Sequence, residues 1–137
     1  DAVSHLRRCG ADPEVVHYLF RTDYETNLAE CTAIANSVFY PEGLVVAVCP
    51  DNANSIQAIS GKIADDLLGI ENVRVSIVFF RLKDNVIGVS ARSTGEINVQ
   101  VIMEQFGGGG HHNVSGSQVK NRPLKELKQD VVNTTLS

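Results

Sequence analysis

A chain of 137 residues fits one domain with a small helical attachment and leaves little room for two full domains. Its composition, 43% hydrophobic and 20% charged, is that of folded globular protein, and a net charge of −4 supplies no broad basic field for long duplex nucleic acid. No stretch has the length and apolarity of a membrane span, the first residues do not form a signal peptide, and Cys9, Cys31 and Cys49 have neither metal-ligand spacing nor the density of a disulfide scaffold.

The cysteines are therefore expected to be reduced and mostly buried. The chain starts at Asp1 rather than at methionine, so a piece of a larger protein is expected. Residues 1–8 place Val3 and Leu6 on one side of a helix that Gly10 ends, and Asp12-Pro13 opens a second short helix through Phe20. Between residues 26 and 39, Leu28, Cys31, Ile34, Ala35 and Val38 recur at helical spacing, and Pro41-Glu42-Gly43 punctuates the end. Residues 44–49 are a continuous apolar run stopped by Pro50, the pattern of a central strand covered on both faces. Ile56, Ile59, Ile63, Leu67 and Leu68 stripe the next helix, which Gly69 closes.

Residues 73–82 alternate Val73, Val75, Ile77 and Phe79, a polar Lys83-Asp84-Asn85 turn follows, and residues 86–92 return as the second strand of a hairpin. Val99, Ile102, Met103 and Phe106 mark a further helix that Gly107 ends. Residues 114–119 read as a turn or short helix, and a last helix starts near Pro123 with Leu124, Leu127 and Val131 inward and fraying from Asn133. Helices interspersed with three strong strands predict a compact α/β (α+β) domain, a mixed β-sheet flanked by helices, with further short strands unmarked by the pattern.

The chemistry concentrates at Gly107-Gly108-Gly109-Gly110-His111-His112-Asn113. Four successive glycines forgo packing and carry a large backbone entropy cost, which suits a place needing positive φ or close backbone approach. Bare amides, the imidazole of His111, and Ser115 with Gly116 can form an anion-holding nest. The loop follows a helix C-terminus, the less favourable dipole end for an anion, so Arg92 from the neighbouring strand is expected to help with its planar guanidinium fork, and Ser93 with its hydroxyl. Asn98 is either the cap of the following helix or a ligand contact. His111 is either a ligand group or a structural histidine locking the loop, and His112 is expected to serve the structure or the surface. The adjacent imidazoles lack a third metal ligand at a persuasive spacing, and no serine has a general base or a nucleophile-elbow setting, so no catalytic residue and no metal ligand is assigned. The run lacks the strand-to-helix context of a dinucleotide fingerprint and the lysine of a P-loop. On residues alone, the chain reads as a nucleotide- or phosphate-binding module.

Residues 107–111, taken with Ser90-Ala91-Arg92-Ser93 and Ile97-Asn98-Val99-Gln100, resemble the DHHA1 domain, the C-terminal substrate-binding module of DHH-family phosphoesterases. The phrase from Ile97 to Glu104 most resembles the membrane-bound cyclic di-AMP phosphodiesterases of Gram-positive bacteria, whereas the residues after His111 follow the general DHHA1 form. The resemblance implies interdomain linker helices over residues 1–24, a DHHA1-like domain over 25–132 and a frayed tail over 133–137. It also implies that Arg92, Ser93, Asn98, Gly107, Gly108, Gly109, Gly110, His111, Ser115 and Gly116 hold a cyclic dinucleotide or short oligonucleotide. Two manganese ions and the Asp-His-His motif would belong to an upstream DHH domain of the same chain, so that the fragment alone is inactive. The parent would hydrolyse cyclic di-AMP to a linear dinucleotide, with this domain in the cytoplasm and out of direct contact with the membrane that anchors the whole. A homodimer is compatible with the resemblance. The alternatives are the same module of an oligoribonuclease or 3'-phosphoadenosine phosphate phosphatase, and a non-enzymatic nucleotide-binding domain.

Overall fold

The computed structural model describes the backbone of residues 13–51 and 55–137, and the side chains of residues 24–51 and 55–137. The helix expected over residues 1–8, Gly10 and Cys9 lie outside the described residues. In chain order the elements are α1 (Pro13–Ala35), β1 (Val38–Phe39), β2 (Leu44–Val48), α2 (Ile56–Leu68), β3 (Val75–Arg81), β4 (Val86–Ser93), α3 (Val99–Glu104), β5 (Gly109–Gly110), β6 (Val114–Lys120) and α4 (Leu124–Leu136). The strands form one six-stranded sheet in the order β1-β2-β3-β4-β6-β5. Among the described residues only β2 and β3 pair in parallel, joined by the α2 crossover, and the other pairings are antiparallel. The expected mixed sheet flanked by helices is the fold observed.

Period-two side-chain alternation divides the core between the two faces of this sheet. Leu44, Val46, Val75, Ile77, Phe79, Ile87, Val89 and Ala91 face α3 and α4, where Val99, Met103, Leu127 and Val131 meet them. Val45, Ala47, Val78 and Phe80 face α1 and α2, against Ala33, Ile59, Ile63 and Leu67. The unbroken apolar run of β2 is thus explained by cover on both sides, as its lack of alternation predicts. At the β3–β4 turn Asp84 and Asn85 both take positive φ, 61° and 60°, the backbone that two-residue hairpins favour.

Several expectations are corrected. Residues 114–120 form a full strand, not a turn or short helix; Val-Ser-Gly-Ser-Gln-Val-Lys carries little apolar signal, yet its backbone pairs with β4 at seven positions from Val114↔Arg92 to Lys120↔Val86. Small residues and serines conceal the alternation there: Ser115 and Ser117 are buried and donate to the carbonyls of His111 (2.6 Å) and Phe106 (2.5 Å). The helix expected over residues 26–39 stops at Ala35, and Val38 and Phe39 form a short edge strand on β2. Helix α1 runs unbroken from Pro13, across the expected gap between two helices. Among its described side chains Glu30 and Ala33 are buried and Ile34 packs against the core as its spacing predicts, while Leu28 and Cys31 face out. Glu30 is held there by Lys62 of α2 at 2.7 Å, so an ion pair stands on the inward face where Leu28 and Cys31 were expected. At the other end α4 continues to Leu136, because Thr135 is buried and donates to the Val131 carbonyl at 2.7 Å.

Candidate functional site

The face of β4 turned towards α2 carries Gly88, Ser90 and Arg92, and the partner positions on β6 are Gln118, Gly116 and Val114. Small side chains in this patch leave the sheet uncovered beyond α2. The result is an open cavity of about 590 Å³ with Gln57 and Gly61 of α2 on one side and residues 107–110 on the other, within the size range of small-molecule sites.

Three glycines of the run are held to glycine by the fold, each for a different reason. Gly107 takes φ 78°, a left-handed conformation that ends α3, and its N–H donates to the Glu104 carbonyl at 3.2 Å. The Gly108 N–H donates to the Met103 carbonyl at 2.8 Å, and a Cβ there would overlap the Gly116 carbonyl oxygen and lie 2.7 Å from the Ser117 Cβ. Gly110, at φ 142°, would place a Cβ 2.6 Å from the Val114 carbonyl oxygen. At Gly109 neither constraint applies: its φ lies outside the left-handed range, and a Cβ would meet no atom within 4 Å. The bare backbone at Gly109 is demanded by nothing among the described residues and borders the open cavity.

Two of the four amides therefore close α3. His111 N–H donates to the Val114 carbonyl at 2.7 Å, so by the alternation of an antiparallel ladder Gly109 faces Gly116 in a hydrogen-bonded pair. The same alternation turns the Gly110 N–H outward from the exposed edge strand β5.

Arg92 is the cation among the cavity-lining residues. Its side chain is 16% exposed, with Nε donating to Asp65 Oδ1 at 3.0 Å and Nη1 to the Ala91 carbonyl at 3.1 Å. Gly61 makes room for it: a Cβ on that helical residue would come 3.0 Å from Arg92 Nη2. Asp65 is well exposed, so this ion pair orients the guanidinium in a solvated setting without neutralising it in a dry one.

The structure brings Arg92, Gly107, Gly108, Gly109, Gly110, Ser115 and Gly116 into one cavity wall, and places Ser93, Asn98 and His111 outside that lining. Ser93 is buried; its Oγ donates to the Ile97 carbonyl at 2.6 Å and accepts from the Gly95 N–H at 3.0 Å. The Asn98 carboxamide oxygen accepts from the N–H groups of Gln100 and Val101 at 3.0 and 3.3 Å, capping α3. His111 is exposed next to the cavity-lining Gly110. His112 has the structural role expected of it, with Nε2 2.8 Å from the Gly95 carbonyl and its own carbonyl accepting from Val99 N–H at 3.0 Å. Gln57, Gly61, Phe80, Ser90, Ser117 and Gln118 also line the cavity. Ser117 and Gln118 were missed because β6 was not recognised as a strand, and Gln57, Gly61, Phe80 and Ser90 because only the fold brings α2, β3 and β4 beside the glycine run; with the β6 register in hand, Gln118 falls on the same face as Gly116 and Arg92.

Among the described residues no group of three or more His, Cys, Asp and Glu side chains could hold a metal ion. They do not fit a two-metal phosphoesterase centre, which needs a carboxylate-rich ligand set.

Against known proteins, the DHHA1 domain family model matches residues 42–136. The cyclic-di-AMP phosphodiesterase PdeA of Listeria monocytogenes is 35% identical over 132 residues, which span 96% of this chain and 20% of that protein. The cyclic-di-AMP phosphodiesterase GdpP of Bacillus subtilis is 32% identical over 128 residues, 92% of this chain and 19% of that one. Among solved structures, an exopolyphosphatase-related protein from Bacteroides fragilis superposes with TM-score 0.69 at 20% identity, over 98% of this chain and 41% of its own. The pGpG-specific phosphodiesterase PggH of Vibrio cholerae gives 0.60 at 15% identity, over 91% and 43%. These two structures bear on the fold alone. The chain spans about a fifth of the length of the curated relatives it matches.

Proposed function

The chain belongs to the DHHA1 domain family, and from that premise we propose that it is the nucleotide-holding module of a metal-dependent phosphodiesterase that hydrolyses cyclic di-AMP to a linear dinucleotide. The observation that carries this reading is Gly109, a glycine that neither backbone angle nor packing requires, set at the wall of a cavity that also contains Arg92. Identity of 35% and 32% to two cyclic-di-AMP phosphodiesterases across nearly the whole chain supports the substrate.

In this reading Arg92 contacts a phosphate through the guanidinium edge left free by Asp65 and Ala91, with the outward N–H of Gly110 and the imidazole of His111 as further donors at the rim. Asp65 holds the fork in place before the ligand arrives, which lowers the ordering cost of binding. The chemistry of bond cleavage belongs to two manganese ions held by an upstream DHH domain of the same chain, since the described residues do not fit such ions. The parent is anchored in the membrane with this module on the cytoplasmic side; no described helix is long and apolar enough to cross a membrane.

The test compares this chain with a protein in which an upstream DHH domain precedes it. Cyclic di-AMP should bind to the chain without turnover and be hydrolysed by the longer protein only with manganese. Turnover by the isolated chain, lost on His111→Ala, would contradict the division of labour. Hydrolysis by the longer protein of linear dinucleotides or 3'-phosphoadenosine phosphate, and not of cyclic di-AMP, would overturn the substrate.

A further inference from the structure

The cavity has two ends of different chemistry. Arg92 and Gly88 are four residues apart on β4, about 13 Å at the rise of an extended strand. Helix α2 runs alongside in the same sense, with Gly61 and Asp65 against Arg92, Ser60 against Ser90, and Gln57 lining the cavity one turn earlier. The cation is therefore at one end. At the other, Gly88 pairs with Phe80 on one side and Gln118 on the other, and the Phe80 ring occupies the space that a Cβ on Gly88 would need.

Between them, Ser90 has its hydrogen-bond polarity fixed by its neighbours. Ser60 Oγ donates to the Gln57 carbonyl at 2.7 Å, so in the 2.9 Å contact between the two hydroxyls Ser90 is the donor. Its oxygen is left with acceptor capacity only. The floor midway along the cavity thus suits a hydroxyl donor such as a ribose and repels phosphate oxygens, which confines phosphate to the Arg92 end.

We propose that the Gly88 end is a nucleobase subsite that selects adenine through the carboxamide of Gln118, with Gln57 facing it from α2 and Phe80 closing the apolar end. This rests on the nucleotide-holding reading above and assigns the orientation of the nucleotide within it. A carboxamide presents one donor and one acceptor side by side, which matches adenine N7 and its N6 amino group; guanine presents two acceptors there and is matched by a cation, and the cavity's cation is at the opposite end. Gln118 is exposed and makes no side-chain hydrogen bond to another described residue, so its fork is free for a ligand.

The test is a chemical-shift titration of the 137-residue chain with AMP, GMP and ribose 5-phosphate, repeated on Gln118→Leu and Gln118→Arg. Wild type should bind AMP about fivefold or more tightly than GMP or ribose 5-phosphate, the lower bound for a bidentate contact to a base. Gln118→Leu should reduce AMP to the level of ribose 5-phosphate while leaving ribose 5-phosphate unchanged, and that unchanged value shows that the variant is folded. Gln118→Arg should turn the preference from AMP to GMP. Equal binding of AMP and ribose 5-phosphate by wild type, unaffected by either substitution, would overturn the base subsite and leave the phosphate site standing. Loss of ribose 5-phosphate in Gln118→Leu would put phosphate at the Gly88 end and overturn the orientation. Binding of none of the three probes by wild type would remove the nucleotide-holding reading together with the subsite.

Discussion

Substituting Gly108 and Gly109 separates a glycine required by the fold from one left bare for a ligand. A methyl at position 108 would run into the Gly116 carbonyl and the Ser117 Cβ, which are strand backbone and its first side-chain atom and cannot swing aside. Relieving that overlap requires β5 and β6 to separate, at a cost of about 1–3 kcal/mol, or a fall of roughly 3–15 °C in Tm for a chain of this size. At position 109 the methyl enters open space, and removing a glycine from a compatible backbone is worth about 0.4–1 kcal/mol in favour of the folded state. Gly109→Ala should therefore melt at or above wild type, and Gly109→Val, which extends into the cavity, should weaken cyclic di-AMP binding about tenfold or more, some 1.4 kcal/mol. Thermal unfolding by circular dichroism and calorimetric titration give the two readouts. Gly108→Ala as stable as wild type, or Gly109→Val with unaltered affinity, would refute the reasoning.

Arg92→Met keeps much of the side-chain volume and removes the cavity's cation. Binding of cyclic di-AMP should fall at least about tenfold, while urea denaturation changes by less than about 1 kcal/mol, because the Asp65 carboxylate left behind is exposed. Asn98→Ala should show the opposite pattern: loss of about 1 kcal/mol of stability through the α3 cap, with ligand affinity retained in the calorimeter. Burial pushes the Cys49 thiol up to about 11 from an ordinary 9.0. The unfolded chain loses that proton first, so stability should decline as pH rises from about 9 to 11, by up to about 1.4 kcal/mol per unit. Urea midpoints across that interval should show the decline in wild type and a shallower one in Cys49→Ala. Native protein should also be alkylated at exposed Cys31 well before Cys49.

Legibility in the sequence followed the strength of the apolar pattern. The runs of β2 and β3, the hairpin turn at Asp84-Asn85 and the stripes of α2 and α4 all announce themselves, since each buries large aliphatic side chains at a regular period. Strand β6 does not, because its inward positions are Ser115 and Ser117, whose burial is satisfied by hydrogen bonds to loop carbonyls that no local pattern reveals. In α1 the apolar stripe placed Ile34 against the core but not Leu28 and Cys31, because the inward face also carries Ala33 and Glu30, the latter paired with Lys62 across the tertiary contact.

The same limit governs the site. Arg92 and the glycine run were visible as residue types suited to phosphate, and the fold brings them together. The division of labour among the glycines was not visible, because the constraint on Gly108 comes from a strand that follows it in sequence. Ser93 and Asn98 resemble ligand groups in composition, yet both hold the entrance to α3. Gln118 became recognisable only through its register opposite Gly88.

The central claim is that this chain holds the nucleotide with the wall formed by Arg92 and the glycine run. Its most direct test is the amide and guanidinium NMR spectrum of the chain titrated with cyclic di-AMP. Saturable shifts are expected at Gly109, Gly110, His111, Gly116 and the Arg92 side chain, with the midpoint moved to about tenfold or more higher cyclic di-AMP in Gly109→Val. Shifts confined to another surface, or a spectrum unchanged by cyclic di-AMP, would contradict it.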